Sequence, residues 1–491
     1  MPSRFRARLG LLFGVALAIR FFGLTWDGGH HFHPDERAVV DAVMRLSAHP
    51  LDLNPHFFAY GSLPLYLTRG AMAVLSVGSP WFATYDAAFL VGRALSALLG
   101  AATAVLLALL GRRLYGERAG LLAGALFAAC VLPLQNAHFA TSDTPLTFFV
   151  LLALFLLVRY VEEGTLLFAV LAGGATGLSL ATKVSAAPLV VPLAVALLAR
   201  REQGSRWKTV LGHGTLAALA LLTGFVLAEP YAVLDFKTFA GGVLEQAAMV
   251  RHAGTRPFTN QFVGLPSVLY ELEQLVVWGM GPFLAVAALW GCVAVGRRAV
   301  RERRARELVL LSWVVILFVL TCTFEAKFPR YLLPIYPLLV LFGAAALEEA
   351  AGYSRRGRVA RGVVLATTIA YSVAFLSIYT RPHTEVTASK WFYGHAAPGS
   401  KILAPDWDEG FPLPLPGATP DRYKTTVFPY QEPDTTEKTQ RLVADLAASD
   451  VLVLQTKRAY GGYTRAPGKF PATTRFFESL FAGQLGYTLE G

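Results

Sequence analysis

The 491-residue sequence has little charge, few cysteines and no internal repeat. Charged residues make up only 16% of the chain, against roughly 25% in a typical soluble protein, whereas hydrophobic residues make up 54%. This deficit of charge excludes intrinsic disorder, a coiled coil and a soluble nucleic-acid-binding globule. The three cysteines lie in apolar runs without metal-binding or disulfide spacing, so we predict that they pack as small hydrophobic residues. The composition indicates a polytopic membrane protein.

Eleven apolar stretches are long enough, or nearly long enough, to cross about 30 Å of hydrocarbon as helices. The predicted spans are residues 9–24, 89–110, 119–134, 144–158, 165–182, 184–199, 209–228, 272–296, 308–324, 331–350 and 362–380. The first span follows three arginines but no small-residue cleavage site follows it, so we predict an uncleaved anchor. The sequence therefore predicts an α-helical polytopic membrane protein with about 11 transmembrane helices.

A twelfth apolar stretch, residues 60–77, decides the topology. The arginine-rich loops and the N-terminus should all lie on the cytoplasmic side, which requires an even number of crossings before residue 111. Two spans already lie in this part of the chain, so 60–77 is predicted to be a helix at the outer interface. The inner loops then hold 21 Lys and Arg in 53 residues and the outer loops 9 in 123. This asymmetry explains the net charge of +11 without nucleic acid.

Residues 381–491 differ in composition from the rest of the chain, because polar residues return and the apolar runs shorten to strand length. We predict a small outer α/β domain here, following a transmembrane domain at 1–380. Its predicted elements are strands at 401–405, 423–428 and 450–455 and an amphipathic helix at 437–448. The sequence ends abruptly at Gly491, which leaves open whether this domain is complete.

Unusual ionisable and aromatic residues gather at the predicted outer ends of the helices. They are His33, Asp35 and Glu36 after the first span, Asp143 before the fourth, Lys183 after the fifth, Glu229 and Tyr231 after the seventh, and Lys327, Arg330 and Tyr331 between the ninth and tenth. Arg93 lies inside the second span, where a charge is costly and calls for a partner or an anion. Alone, each acidic residue could cap a helix and each lysine could snorkel. Together they predict a site for a lipid head group at the membrane surface.

The motif His33-Pro34-Asp35-Glu36 resembles the acidic motif in the first outer loop of the C-type membrane glycosyltransferases, which have the GT-C fold. Within that fold, the resemblance is to glycosyltransferase family 39, with its protein O-mannosyltransferases and bacterial aminoarabinose transferases. Residues 60–66 resemble the interfacial helix of the same loop, and Asp143 resembles the second acidic residue. Residues 327–334 are similar to the late-span motif, so the resemblance covers roughly residues 1–380.

The resemblance implies an inverting transfer of a sugar from a polyprenyl-phosphate donor to a hydroxyl of a protein, lipid or glycan. It places this reaction at the outer face of the membrane, here a bacterial cytoplasmic membrane, without a nucleotide donor. The predicted base that removes the hydroxyl proton is Asp35, with Glu36 and Asp143 as alternatives. The predicted ligands of the donor phosphate are Lys183, Lys327, Arg330 and Arg93. The other predicted substrate-binding residues are His33, Tyr60, Glu229, Tyr231 and Tyr331.

Several alternatives remain open. The histidines beside Asp35 match no strong ligand spacing, so we predict no metal and no other cofactor. An oligosaccharide- or diphosphate-using enzyme of the same fold would more often bring a divalent metal and give these histidines a purpose. A secondary transporter would place its charges near mid-span, often in two repeated halves. A non-enzymatic scaffold gives no reason for acidic and basic residues to converge from separate loops.

Overall fold

The computed structural model describes residues 3–48, 50–406 and 409–490, so the predicted domain ends at Met1 and Gly491 lie outside the described residues. The α-helices of the first 380 residues are, in chain order, α1 (Ser3–Phe21), α2 (Pro34–Arg45), α3 (Leu63–Ser76), α4 (Tyr85–Tyr115), α5 (Glu117–Ala128), α6 (Val131–Asn136), α7 (Asp143–Glu163), α8 (Leu166–Thr182), α9 (Val190–Glu202), α10 (Trp207–Ala228), α11 (Tyr231–Leu234), α12 (Phe236–Arg251), α13 (Leu269–Glu273), α14 (Pro282–Arg301), α15 (Ala305–Cys322), α16 (Tyr336–Tyr353) and α17 (Arg355–Leu376). Short 3₁₀ segments lie at Pro80–Ala83, Val184–Leu189, Pro257–Phe262, Pro329–Ile335 and Ser377–Thr380, and a π-helix lies at Gln274–Met280. Strands β1 (Ser47–Ala48) and β2 (Leu51–Asp52) form a small antiparallel pair.

Among the described residues, eight helical segments are long and apolar enough to cross a membrane. They are built on α4, α7, α9, α10, α14, α15, α16 and α17, and they confirm eight of the eleven predicted spans as helices. The other three predicted spans are helical as well, but α1 carries four arginines, α8 has 17 residues and α5 is separated from α6. Residues 60–77 contain the predicted helix as α3, and its place at the interface stays a prediction.

The predicted continuous span at 119–134 is wrong, because the chain breaks between α5 and α6. Pro133 has no N–H to offer the carbonyl group of Ala129, so a helix cannot run through this point without losing a hydrogen bond. Arg20 of α1 is fully buried beside the break, and its Nη1 donates to the carbonyl oxygen of Ala128 at 3.1 Å. A side chain from another helix thus satisfies a carbonyl that the break leaves free.

Three further predicted spans begin differently from the expectation. The span at 272–296 was placed too early, because the π-helix and Gly281 precede α14, whose first residue is Pro282. The spans at 184–199 and 331–350 begin as 3₁₀ segments that contain an internal proline, and become α-helical only at Val190 and Tyr336. Each irregular segment leads into a membrane-length helix, so proline decides where the regular helix starts.

The most enclosed of these spans is Pro329–Tyr353, which contains α16. In its most apolar stretch of 18 residues, 89% is buried inside the protein. Helices α4, α5, α14 and α17 pack around it, and its buried side chains belong to the main hydrophobic core. By contrast, the corresponding stretches of the spans that contain α10 and α17 are only 11% and 17% buried, although they are just as apolar. Such unburied apolar faces are expected on helices that face lipid.

The rest of the chain forms a second unit around a parallel sheet. Its elements are α18 (Thr384–His395), β3 (Lys401–Pro405), β4 (Lys424–Phe428), α19 (Thr436–Ala448), β5 (Val451–Leu452), α20 (Lys457–Tyr463) and α21 (Pro471–Phe481). The strand order is β4-β3-β5, with Leu403 of β3 in one hydrophobic cluster and Ile402 and Ala404 in the other. The two predicted strands that became β3 and β4 and the predicted helix are confirmed within one residue, while the third strand is shorter than predicted. The domain boundary at residue 380 stays a prediction.

Candidate active site

Two carboxylates and two cations form one interlocked group, which we call the charged cluster: Asp35, Asp143, Lys183 and Arg330. The Nη2 atom of Arg330 lies 2.9 Å from Oδ2 of Asp35, and Nζ of Lys183 lies 2.8 Å from Oδ1 of Asp143. The Nε atom of Arg330 lies 3.7 Å from Oδ2 of Asp143 and so joins the two pairs. The structure therefore brings together residues that are up to 295 positions apart in the sequence.

The helix ends explain this convergence. Asp35 stands in the first turn of α2, Asp143 begins α7, Lys183 directly follows α8, and Arg330 lies between α15 and α16. All four thus meet at the same end of the helix bundle. The side chains of Asp35 and Arg330 keep 27% and 25% of their surface exposed, whereas that of Asp143 keeps 4%. The charged cluster is therefore partly open to its surroundings at Asp35 and Arg330 and buried at Asp143.

Aromatic rings line the charged cluster. The Nζ atom of Lys183 lies 5.2 Å from the ring centre of Tyr60 and 5.5 Å from that of Tyr331. The guanidinium of Arg330 lies 4.6 Å from the ring centre of Phe328. Rings at this distance attract cations and also shield them from water. The structure thus places the predicted residues Tyr60 and Tyr331 beside the cluster.

The electrostatic surroundings keep Asp35 ionised. Burial alone would raise the pKa of its carboxyl group, but the positive charges of Arg330 and Lys183 outweigh burial and lower it. Burial lowers the pKa of His33, the residue that caps α2 by accepting a hydrogen bond from the Glu36 N–H at 3.3 Å. The site therefore holds an ionised carboxylate next to a neutral imidazole.

Glu36 and Arg93 belong to a different, closed network. Arg93 spends its N–H groups on five hydrogen bonds, two to Glu36, two to Asp27 and one to the carbonyl oxygen of Leu24. Glu36 also accepts from the backbone N–H of Ala140 at 2.7 Å and is fully buried. A base needs a free oxygen and a phosphate ligand needs free donors. These hydrogen bonds therefore disfavour Glu36 as alternative base and Arg93 as phosphate ligand, and both roles stay predictions.

Lys327 is also occupied by the protein itself. Its Nζ donates to the side chains of Ser267 and Glu271, at 3.0 and 2.8 Å, and to the carbonyl oxygen of Phe324 at 2.8 Å. An ammonium group has three N–H donors, so none remains for a phosphate. The side chain is 2% exposed. These contacts disfavour Lys327 as a ligand of the donor phosphate, a role that stays a prediction, whereas Phe328, Arg330 and Tyr331 of the late-span motif lie at the charged cluster.

Glu229 fastens the segment that carries Tyr60. Its carboxylate accepts from the Ser62 hydroxyl at 2.6 Å, and burial raises the pKa of this group to about 7 although the Ser62 hydrogen bonds oppose it. Gly61 packs so closely on α8 that a Cβ atom there would lie 2.0 Å from the carbonyl oxygen of Ala181. Glu229 therefore holds the backbone two residues after Tyr60, and its predicted role in substrate binding stays a prediction. Tyr231 begins α11, and no hydrogen bond within the described part of the chain joins it to the cluster.

Three hydroxyl groups on the residues next to Asp143 were not predicted as part of the site. Thr141, Ser142 and Thr144 are at most 5% exposed, and their hydroxyl oxygens have no hydrogen-bond partner among the described residues. The same holds for Nε of Arg330. Buried polar groups are normally paired, so unpaired hydroxyls on the residues that flank Asp143, and an unpaired Nε at 3.7 Å from its carboxylate, favour a polar ligand here. The run Thr-Ser-Asp-Thr at the start of a predicted span was the available signal.

The residues around Asp35 do not fit a metal ion. His31 faces Asp86 at 2.9 Å and stacks on Phe89, while Nδ1 of His33 accepts the hydrogen bond that caps α2. In the described ranges, no group of three or more His, Cys, Asp or Glu side chains is placed to hold a metal. The two carboxylates of the charged cluster instead face cationic side chains, so we derive no step through a metal.

Comparisons with known proteins agree with this architecture. The profile of the dolichyl-phosphate-mannose-protein mannosyltransferase family matches residues 82–227. An undecaprenyl phosphate-alpha-4-amino-4-deoxy-L-arabinose arabinosyl transferase of Pseudomonas aeruginosa is 30% identical over 271 residues, which are 53% of this chain and 46% of that protein. The chain thus spans about half the length of the curated relatives that it matches.

Two solved structures share the fold. ArnT from Cupriavidus metallidurans bound to undecaprenyl phosphate superposes with a TM-score of 0.54 and 17% identity, over 81% of this chain and 82% of that one. The oligosaccharyltransferase AglB from Archaeoglobus fulgidus, in complex with an inhibitory peptide and a dolichol-phosphate, gives 0.51 and 14%, over 82% and 62%. These findings identify the chain as an integral membrane protein with the GT-C fold, similar over part of its length to the protein mannosyltransferase family and to an aminoarabinose transferase.

Proposed function

We propose that this protein is an inverting glycosyltransferase that moves a sugar from a polyprenyl-phosphate donor to a hydroxyl acceptor. The observation that carries the proposal is the charged cluster, where an ionised carboxylate lies beside two cations at the end of an apolar helix bundle. The bundle suits a lipid tail, the cations suit a phosphate, and the carboxylate suits removal of a proton. The named relative and the lipid phosphate bound in each of the two solved structures support the same donor class.

The reaction needs one displacement at the anomeric carbon of the donor sugar. The acceptor oxygen forms the new bond to this carbon while the bond to the phosphate oxygen breaks, which inverts the configuration. The electron pair of the broken bond leaves with the lipid phosphate, and the proton of the hydroxyl moves to Asp35. Lys183 and Arg330 stabilise the negative charge that grows on the phosphate.

Arg330 links donor binding to the activation of Asp35. Without a donor it is paired with Asp35 at 2.9 Å, which lowers the pKa of that carboxyl group. A phosphate that takes over the guanidinium would remove this stabilisation and make Asp35 a stronger base at the moment when the acceptor needs one. The free Nε of Arg330 and the hydroxyls of Thr141, Ser142 and Thr144 supply further hydrogen bonds for the phosphate or the sugar.

We further propose that the charged cluster faces the outer side of a bacterial cytoplasmic membrane. The excess of Lys and Arg in the loops at the opposite end of the bundle supports this orientation. In a variant without native cysteines, Asp421→Cys should react with a membrane-impermeant thiol reagent from outside, and Gln203→Cys should not, since both positions are exposed. Labelling of position 203 alone from outside would reverse the orientation.

The activity is tested with the purified protein in lipid nanodiscs. A panel of polyprenyl-phosphate sugars is supplied as donors with a membrane extract as acceptor, and the products are identified by mass spectrometry. We expect one donor to be consumed, with release of the lipid phosphate and addition of one sugar mass to an acceptor. If no donor of the panel is consumed by wild-type protein while the lipid phosphate still binds, the proposal fails.

A further inference from the structure

The charged cluster has no net charge of its own. Its two carboxylates, Asp35 and Asp143, cancel its two cations, Lys183 and Arg330. His33 and Tyr60 add none, because burial lowers the pKa of the imidazole and raises that of the phenol. A sugar-phosphate diester carries one negative charge and the lipid phosphate that leaves carries up to two. The cluster alone therefore lacks the positive charge that would balance its substrate.

The C-terminal unit is held against this end of the bundle at several points. Arg37, two residues after Asp35, forms an ion pair with Glu409, and the backbone oxygen of Glu409 accepts from Nε2 of Gln455 at 3.0 Å. Helix α20 packs on the 3₁₀ segment at 257–262. These contacts hold the start of α20 next to the helix that carries Asp35.

Arg458 lies at this start of α20. Its side chain is exposed, and within the described ranges its guanidinium forms no ion pair or hydrogen bond with the protein. Its charge nevertheless reaches Asp35 and helps to lower the pKa of that carboxyl group. The surrounding stretch, residues 451–477, contains five basic residues and no acidic one, so its own segment supplies no counter-ion for Arg458. The contacts through Glu409 and Gln455 thus bring a cation with free donors to the end of the bundle that carries Asp35.

We infer that Arg458 is a substrate-binding residue of the charged cluster, supplied by the C-terminal unit, and that it binds an anionic group next to Asp35. This inference rests on the proposed function. It makes the site a composite of both parts of the chain, with a net charge of +1 when Arg458 is counted. The anionic group is either the phosphate of the lipid donor or a negative group of the acceptor beside the attacking hydroxyl. Both sources offer the same chemistry to a guanidinium.

The experiment compares Arg458→Ala and Arg458→Lys with wild type in nanodiscs, with Arg475→Ala as the control. Arg475 is an exposed basic residue of the same unit in α21. The readouts are the dissociation constant of undecaprenyl phosphate and the KM of the acceptor. We expect one of them to rise about threefold to tenfold in Arg458→Ala, with partial rescue in Arg458→Lys and no change in the control. The effect should shrink at high ionic strength, because salt screens an exposed charge.

The pattern of the change identifies the ligand. A weaker affinity for undecaprenyl phosphate with an unchanged acceptor KM assigns Arg458 to the donor, and the reverse assigns it to an anionic acceptor. If both values stay within twofold of wild type while wild-type protein transfers sugar, the inference is overturned and the proposed function stands. If wild-type protein transfers no sugar, the proposed function fails. The dissociation constants of undecaprenyl phosphate for Arg458→Ala and wild type then still test whether Arg458 binds the phosphate.

Discussion

Two neighbouring carboxylates on helix α2 have opposite surroundings. Glu36 and its partner Arg93 are 0% and 3% exposed in their side chains, and all five N–H groups of Arg93 are used. Asp35 and its partner Arg330 keep about a quarter of their surfaces exposed, and the Nε of Arg330 has no hydrogen-bond partner among the described residues. A saturated ion pair holds structure together, whereas an unsaturated one can exchange partners with a ligand. The pair of Glu36 and Arg93 thus suits a role in stabilising the fold, whereas the pair of Asp35 and Arg330 can open to a ligand.

The largest effect is expected from a substitution of Asp35, the carboxylate of the open pair. Asparagine keeps the shape of aspartate and caps a helix about as well, but it cannot accept the proton of the acceptor. Asp35→Asn should therefore lower the turnover number by about 10²–10⁴ with little change in thermal stability. Rates are measured under saturating donor and acceptor. Turnover within threefold of wild type would remove Asp35 from the role of base and leave Asp143 as the candidate.

The next largest effect is expected from a substitution of Arg93, the cation of the closed network. Arg93→Met leaves Asp27 and Glu36 buried without their counter-charge, and the loss of one partner from a buried ion pair costs about 3–5 kcal/mol. The free energy of unfolding in mixed micelles should fall by that amount. Arg45→Ala removes an exposed arginine of α2, the helix that carries Glu36; it serves as the control and should have little effect. A variant at position 93 as stable as this control contradicts the account of a closed network.

A smaller effect is expected at Arg330. Charge-assisted hydrogen bonds contribute about 1.5–3 kcal/mol each, so Arg330→Ala should weaken binding of the lipid-phosphate donor roughly ten- to a hundredfold. Lys327→Ala, by contrast, should lower stability without a specific loss of donor affinity, since the protein already uses all three of its donors. Donor affinity is measured by titration in nanodiscs. Equal losses of donor affinity in both variants would mean that Lys327 contributes to donor binding as much as Arg330 does, which contradicts the account.

The smallest effect concerns pH. Arg330 lowers the pKa of Asp35, and a base acts only when it is ionised, so kcat/KM should rise with pH through this pKa. Removing the guanidinium removes a cause of the lowering. The acid limb of the profile should therefore move to higher pH in Arg330→Ala. Arg256→Ala, which removes an exposed arginine paired with Glu245, should leave the limb in place. An unmoved acid limb in Arg330→Ala would show that Asp35 does not control it.

Much of the fold follows from the sequence, since apolar length predicts spans and polar residues at their ends predict a shared site. The convergence of Asp35, Asp143, Lys183 and Arg330 follows from such helix ends. The distinction between Asp35 and Glu36 does not, because it depends on how Arg93 of α4 approaches α2. Their roles in the reaction stay predictions.

Other features depend on tertiary contacts that no local pattern reveals. The partner of Lys327 is Glu271, 56 positions away, and a lysine at a span end gives no sign of whether its donors are free. The placement of α20, which carries Arg458, at the end of the bundle near α2 depends on how the C-terminal unit packs on the bundle. The break after Ala128 had a local cause in Pro133, but a single proline inside an apolar run does not fix where a helix ends.

The most direct test of the central claim uses an acceptor that needs no base. Azide is already an anion and attacks the anomeric carbon without losing a proton, so a variant that lacks only the base should still transfer sugar to it. We predict that Asp35→Asn forms the inverted glycosyl azide within threefold of the wild-type rate, while transfer to the hydroxyl acceptor falls by about 10²–10⁴. An equal loss with both acceptors would contradict the assignment of Asp35 as the base.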